Sequence, residues 1–132
     1  MSERPTSYAA PSLSTPPGYS HAMSAGGLLF VSGQVALDAH GTVVGVDDMA
    51  AQTRQVFRNL GAVLEAAGAS FADVVKLTYF VRDINAIAAI RAARDEFIDT
   101  ANPPASTLVE VSRLFMPDLL VEVEAVAVAR PS

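Results

Sequence analysis

The chain has 132 residues, of which 51% are hydrophobic and 17% are charged, so it can fold around one core and extensive disorder is excluded. With 9 Lys and Arg residues against 14 Asp and Glu residues, the formal net charge is -5, which disfavours nucleic acid as a partner. Cysteine is absent, which excludes disulfides, thiolate metal sites and cysteine nucleophiles. So large an apolar share in so small a chain predicts a subunit interface, and hence a homo-oligomer.

The N-terminal residues differ in composition from the rest. Residues 1–18 are rich in Ser, Thr and Pro and contain no apolar run. This composition predicts a flexible N-terminal arm over 1–18, followed by a single domain over 19–132. The arm has neither the apolar core of a signal peptide nor the length of a membrane anchor, and no later segment is apolar enough to cross a bilayer. We therefore expect a cytoplasmic protein that has no membrane partner.

Apolar periodicity and turn residues predict five strands and two helices in the order β-β-α-β-α-β-β. The strands are expected over Ser20–Met23, Leu28–Leu37 (interrupted at Ser32-Gly33-Gln34), Val74–Val81, Ser106–Ser112 and Leu119–Ala129. The first helix is expected over Val46–Gly68, and the second from a cap at Asp83 to just before Asn102, with Ile87, Ile90, Phe97 and Ile98 as its buried stripe.

Alternation along the last strands predicts which residues share a face of the sheet. Glu122 and Glu124 lie on one face of the final strand, whereas its other face is wholly apolar. We assign Glu110 in the preceding strand to the same carboxylate face. Two helices can cover only one face of such a sheet, which predicts that both helices lie on the apolar face. A face that mixes carboxylates with apolar groups suits a subunit contact beside a cleft.

The remaining polar motifs are individually weak. Ser32-Gly33-Gln34 is typical either of a β-bulge or of backbone N–H groups presented to an anion, and both interpretations stay open. Ser32 lacks the sequence context of a hydrolase nucleophile. His21 and His40 are too few for a three-histidine site, and the acidic spacing fits no metal, so we expect no metal site.

A set of motifs in a fixed order is more specific than any one of them. The set comprises Tyr19, Phe30-Val31-Ser32-Gly33-Gln34-Val35, Ala50-Ala51-Gln52-Thr53-Arg54-Gln55, Leu64-Glu65-Ala66-Ala67-Gly68, Val74–Val81 and Val121–Ala127. From Tyr19 to Arg130 the chain thereby resembles the RidA/YjgF family of reactive-intermediate deaminases, also described as L-PSP endoribonuclease-like. The resemblance implies a chorismate-mutase-like α+β fold, in which a mixed sheet carries two helices on one face. It also implies a homotrimer with a central β-barrel and clefts between subunits.

The resemblance also implies a reaction without metal or organic cofactor. In deaminating members a glutamate positions the water that attacks the C=N carbon of a 2-imino or 2-enamino acid, and ammonia leaves. Glu122 corresponds to that glutamate, and Tyr19, Ser32 and Gly33 correspond to positions that contact the small-molecule substrate.

Three positions depart from the family pattern. Ser106 stands where deaminating members carry the arginine that binds the substrate carboxylate, and a serine cannot form that charge-assisted pair. Leu108 replaces a frequent cysteine, and Arg91 replaces an asparagine of the cleft. Two interpretations of Arg91 stay open: a relocated partner for a substrate anion, or a solvated helix charge.

These residues favour a cofactor-independent deaminase, or related hydrolase, for a reactive imine, enamine or similar unsaturated molecule, with a non-standard substrate preference because of Ser106. A non-catalytic, small-molecule-binding or regulatory trimer is the alternative. An endoribonuclease or translation inhibitor is the third hypothesis, which the net charge of -5 and the lack of a catalytic histidine pair disfavour.

Overall fold

The computed structural model describes residues 4–130 and contains one six-stranded sheet with two α-helices. The strands are β1 (Thr6–Tyr8), β2 (Ala22–Ala25), β3 (Leu28–Val35), β4 (Val74–Val81), β5 (Ala105–Glu110) and β6 (Val121–Val128), and the helices are α1 (Met49–Ala66) and α2 (Ile87–Arg94). The strand order across the sheet is β1-β2-β3-β6-β4-β5, and only β4 and β5 pair in parallel. The sheet is therefore mixed, and the α+β prediction is confirmed.

Helix α1 covers the apolar face of the sheet. Its N-terminus is capped by the Asp48 carboxylate, which accepts the Ala51 N–H, and Gly68 follows its end with a left-handed φ of +75°. The cap explains why the helix starts at Met49 rather than at the predicted Val46. Its apolar stripe packs on β3 and β6, where alternate residues of β6 are buried as their spacing predicted.

The second helix is shorter than predicted. A 3-10 turn over Ile84–Ala86 precedes α2, which spans only 8 residues. Phe97 lies beyond the helix end, yet its ring stacks on Phe57 with the centroids 5.5 Å apart. Apolar residues continue at helical spacing past the end of α2 because the turn that follows this helix packs on the same hydrophobic core. Within residues 4–130, no helix combines the length and apolarity needed to span a bilayer.

The structure differs from the predicted flexible arm. Thr6–Tyr8 forms an edge strand that pairs antiparallel with β2, and Ala10 is buried in the core. Part of the segment before Tyr19 therefore belongs to the folded sheet, whereas residues 1–3 lie outside the described residues. The composition was misleading because β2 offers an open edge whose backbone groups even a short polar strand can pair with.

The assignment of Glu110 to the carboxylate face was wrong. Residues paired across neighbouring strands point to the same side of a sheet, and Glu110 pairs with Val81, which is buried beneath the helices. A Glu110 oxygen accepts the N–H of Ile84 on that helical side. The alternation of residues correctly identified which residues of β5 share a face. However, β5 is an outer strand whose two faces are both largely exposed, so polarity did not reveal which face lies on the helical side of the sheet.

Candidate functional site

A cavity of about 650 Å³ opens between the N-terminal segment, β3 and β6. Four of the residues proposed from the sequence line it: Tyr19, Ser32, Gly33 and Glu122. They come from three separate parts of the chain, so the fold itself brings them together. A concave site of this size is typical of small-molecule binding.

The Ser32-Gly33-Gln34 interruption shapes one wall of this cavity. The β3–β6 register shifts between Val31 and Gln34, as it does at a bulge. The Ser32 hydroxyl donates to the Ser20 carbonyl at 2.6 Å, and the Ser32 N–H donates to the His21 carbonyl at 2.9 Å. The hydroxyl proton is thus committed to the backbone, which leaves Ser32 able to accept a hydrogen bond from a ligand but poorly suited to act as a nucleophile.

Gly33 makes room for the Glu122 carboxyl group. A Cβ atom built on Gly33 would lie 2.8 Å from Cδ of Glu122 and would overlap its carboxylate oxygen. The carboxylate therefore lies against backbone that no side chain covers, which is a position only glycine permits. Sequence reasoning placed Gly33 in the site as a substrate contact, whereas this close approach gives it a second role.

Two features of the environment of Glu122 raise its pKa. The side chain is half-buried, and burial raises the pKa of Glu122, with the neighbouring charge of Glu124 as a smaller cause in the same direction. The ion pairs found within residues 4–130 do not include Glu122, so no cation opposes these two effects. Glu122 is therefore a carboxylate with a raised proton affinity at the wall of a cavity, which suits it to accept a proton from a bound water.

Two aromatic side chains stand at the cavity with much of their surface exposed. Tyr19 is 57% exposed and Phe115 is 69% exposed, and both line the cavity. Phe115 was not identified from the sequence as a site residue. No local signal sets it apart, because single exposed apolar residues are common on protein surfaces.

The other three proposed residues, Arg91, Ser106 and Leu108, do not line this cavity. Ser106 and Leu108 pair with Leu77 and Tyr79 of β4, so they lie on the helical side of the sheet at its outer strand. Two strands separate β5 from β3. Arg91 is exposed on α2 and takes part in none of the ion pairs within residues 4–130. One protomer thus carries two separate groups of candidate site residues.

No metal site is apparent among the side chains that the structure describes. Within residues 4–130, no three His, Cys, Asp or Glu side chains gather as metal ligands would. The charged side chains that line the cavity are Asp38 and Glu122, both acidic.

Comparison with known proteins identifies the family. The family model described as Endoribonuclease L-PSP matches residues 10–129. A RutC family protein from Synechocystis is 45% identical over 111 residues, 83% of this chain and 85% of that protein. A 2-iminobutanoate/2-iminopropanoate deaminase from Salmonella typhimurium is 39% identical over 114 residues, 85% of this chain and 88% of that protein. The crystal structure of the YjgF gene product from Escherichia coli matches with a TM-score of 0.84 and 36% identity, over 95% of this chain and 99% of that one. The chain therefore belongs to the RidA/YjgF family.

Proposed function

We propose that this protein is a cofactor-independent hydrolytic deaminase of reactive imines or enamines, acting in the cytoplasm. The observation that carries the proposal is the half-buried Glu122 carboxyl group, which has a raised pKa and lies against Gly33 at the wall of a cavity of about 650 Å³. This arrangement supports a role for Glu122 as the proton acceptor. The deaminase name of a relative with 39% identity supports the same reaction class.

The reaction needs only a placed water and a proton acceptor. Glu122 accepts a proton from water as the water oxygen bonds to the carbon of the protonated imine, whose C=N electron pair passes to nitrogen. Glu122 then gives this proton to the nitrogen of the carbinolamine, the C–N bond breaks to release ammonia, and Glu122 takes the hydroxyl proton as the carbonyl forms. A protonated imine is already electrophilic, so orientation supplies much of the acceleration and no metal or organic cofactor is required.

We further propose that the site is completed between copies of the chain in a homotrimer. Three large apolar residues, Phe30, Val109 and Val128, are exposed on the sheet face opposite the helices, where a subunit contact would bury them. In such a trimer, whose sheets would line a central barrel, a neighbouring copy would bring Arg91, Ser106 and Leu108 to the Glu122 cavity. Ser106 then gives the cleft a non-standard substrate preference, because it offers no cation to a substrate carboxylate.

The direct test generates 2-aminoacrylate in situ and follows pyruvate with and without the protein. We expect acceleration that is weaker than that of an arginine-bearing relative assayed alongside. An equal rate would contradict the role given to Ser106, and no acceleration on this or on any larger 2-imino acid would overturn the deaminase proposal.

A non-catalytic, ligand-binding or regulatory trimer is the second candidate, and the serine at position 106 favours it. Titration of the protein with 2-oxo and 2-amino acids distinguishes the two. Binding without turnover, and with the same affinity in Glu122→Ala, would identify a binding protein. The endoribonuclease hypothesis is opposed by the net charge of -5 and by the acidic lining of the cavity. Cleavage of single-stranded RNA that persists through repeated purification would revive it.

A further inference from the structure

His21 is buried at the edge of the Glu122 cavity and has a backbone partner on each ring nitrogen. The residue is only 5% exposed and lines the cavity. Its Nδ1 accepts the N–H of Ala10 at 2.9 Å, and its Nε2 lies 3.1 Å from the Ser14 carbonyl oxygen. Because an amide N–H can only donate and a carbonyl can only accept, these partners assign the neutral ring with its proton on Nε2.

The residues that follow Ala10 form a wall of the same cavity. Residues 13–17, which we call the N-terminal wall, all line it and belong to no helix or strand. Within residues 4–130 this wall has two hydrogen bonds, from the Leu13 N–H to the Ala10 carbonyl and from His21 Nε2 to the Ser14 carbonyl. Pro16 and Pro17 have no N–H to donate. Leu13 packs against the hydrophobic core, and His21 supplies the one side-chain hydrogen bond that joins this wall to the rest of residues 4–130.

The backbone of His21 is joined to the opposite wall. Its carbonyl accepts the N–H of Ser32, the residue next to Gly33, against which the Glu122 carboxyl group lies. One residue thus links the N-terminal wall to the bulge against which the Glu122 carboxyl group lies.

We infer that His21 is a positioning residue that holds the N-terminal wall across the cleft from Glu122 and so sets how tightly a substrate is held. The inference rests on the proposed function of that cavity. The wall contributes Leu13, Pro16 and Pro17, so it contacts the non-reacting part of a substrate rather than the atoms that exchange protons. Releasing it weakens ground-state and transition-state binding alike, which raises KM and leaves kcat unchanged.

The test compares three variants with the wild type by steady-state kinetics on a 2-imino acid generated in situ. His21→Leu replaces the ring with an apolar side chain of similar size and removes both ring hydrogen bonds. We expect KM to rise about tenfold with kcat unchanged. His21→Gln places an amide donor near the position of Nε2, so the bond to Ser14 can form again and KM should return to within about threefold of the wild type. His40→Leu, at the other histidine, is the control, because His40 is exposed and does not line the cavity.

Hydrogen exchange of the Leu13 amide, measured on the same variants, separates this inference from the proposed reaction. Exchange that is faster in His21→Leu than in His40→Leu supports the positioning role even if the wild type deaminates no imine, a result that would overturn the proposed function alone. Equal exchange in the two variants overturns the inference. An unchanged KM in His21→Leu, or an equal loss of kcat in His21→Leu and His21→Gln, also overturns it in an active enzyme.

Discussion

The two groups of candidate site residues differ in how much of their geometry one protomer builds. The Glu122 side comprises Tyr19, Ser32, Gly33 and Glu122, and the Ser106 side comprises Arg91, Ser106 and Leu108. Intramolecular hydrogen bonds, a bulge and a close glycine contact shape the Glu122 side around a cavity. The Ser106 side lies at the outer strand and on an exposed helix.

Under the proposed function, proton transfer and anion recognition fall to separate parts of the fold. The Glu122 side can keep its chemistry while the Ser106 side changes, because the hydrogen bonds within residues 4–130 join no residue of one side to a residue of the other. The departures from the family pattern all fall on the Ser106 side. Variants on each side should therefore change different kinetic constants.

The largest expected effect comes from Glu122→Gln. The amide keeps the size of the side chain but cannot accept a proton from water, so kcat should fall about 100- to 10,000-fold, whereas KM changes little. Stopped-flow or coupled assays of imine loss measure both constants. Glu124→Gln, an exposed carboxylate two residues along the same strand face, is the matched control and should keep a kcat near that of the wild type. Similar losses in the two variants would contradict the role given to Glu122.

The second-largest expected effect is an increase in kcat/KM, caused by Ser106→Arg. A guanidinium restores a charge-assisted pair with a substrate carboxylate, and leaving one partner of such a buried pair unpaired costs about 2–5 kcal/mol. We expect kcat/KM on 2-iminopropanoate to rise at least about 30-fold, with little change on an imine that has no carboxylate. Ser112→Arg adds the same charge at an exposed position beyond β5 and should give no gain.

If Ser106→Arg does not raise kcat/KM, another residue already provides the positive charge that binds the substrate carboxylate. Arg91 is the candidate, because it belongs to the Ser106 side. Arg91→Ala would then lower kcat/KM of the wild-type protein on 2-imino acids. If neither variant changes kcat/KM, the Ser106 side does not recognise a carboxylate.

A smaller effect is expected from Gly33→Ala. The added methyl group would displace the Glu122 carboxyl group, which is the mobile end of a side chain, so the backbone need not move. We expect kcat to fall about 10- to 100-fold, because a small misplacement of a reacting group is costly. The midpoint of thermal unfolding should stay close to that of the wild type. Unchanged kcat would show that Glu122 works from another position, and a large loss of stability would show that Gly33 is needed for the fold.

The sequence predicted the central part of the fold well. Strand β4 has the predicted bounds, Val74–Val81, and the alternate burial along β6 follows its pattern of Val and Glu. Both strands are central in the sheet, so one face of each is fully buried and the pattern is strong. The errors in the strands lie at the two edges of the sheet, where β1 was not predicted and Glu110 on β5 was assigned to the wrong face. The two faces of an exposed strand differ little in hydrophobicity, so their sequence does not show which face is buried.

The site was predictable only where local sequence carries the signal. The motifs around Gly33 and Glu122 indicated a cleft, and the fold brings these residues together. His21 was considered only as a metal ligand or a catalytic histidine, because its hydrogen-bond partners lie 7 and 11 residues earlier in a segment that has no periodic pattern. Contacts of this kind depend on a loop conformation, which spacing alone does not predict.

The smallest expected effect concerns the pH dependence of Glu122. Its carboxylate must be charged to accept a proton, and its pKa is raised by burial and by Glu124, so kcat/KM should fall on acidification at a higher pH than an ordinary glutamate would give. Glu124→Gln removes the second cause only, so the acid limb of the pH profile should move to lower pH without reaching the ordinary range. A limb that moves to higher pH would contradict this electrostatic account.

The same raised pKa has the opposite consequence for folding. The folded state binds the Glu122 proton more tightly than the unfolded state, so this group stabilises the protein most at low pH, and the contribution is lost as pH rises through the folded pKa. Above that pH, Glu122→Gln should therefore be more stable than the wild type towards urea, and the difference should vanish on acidification. An inactive variant that gains stability only where the carboxylate is charged would show that the Glu122 side keeps a destabilising charge for the sake of its chemistry.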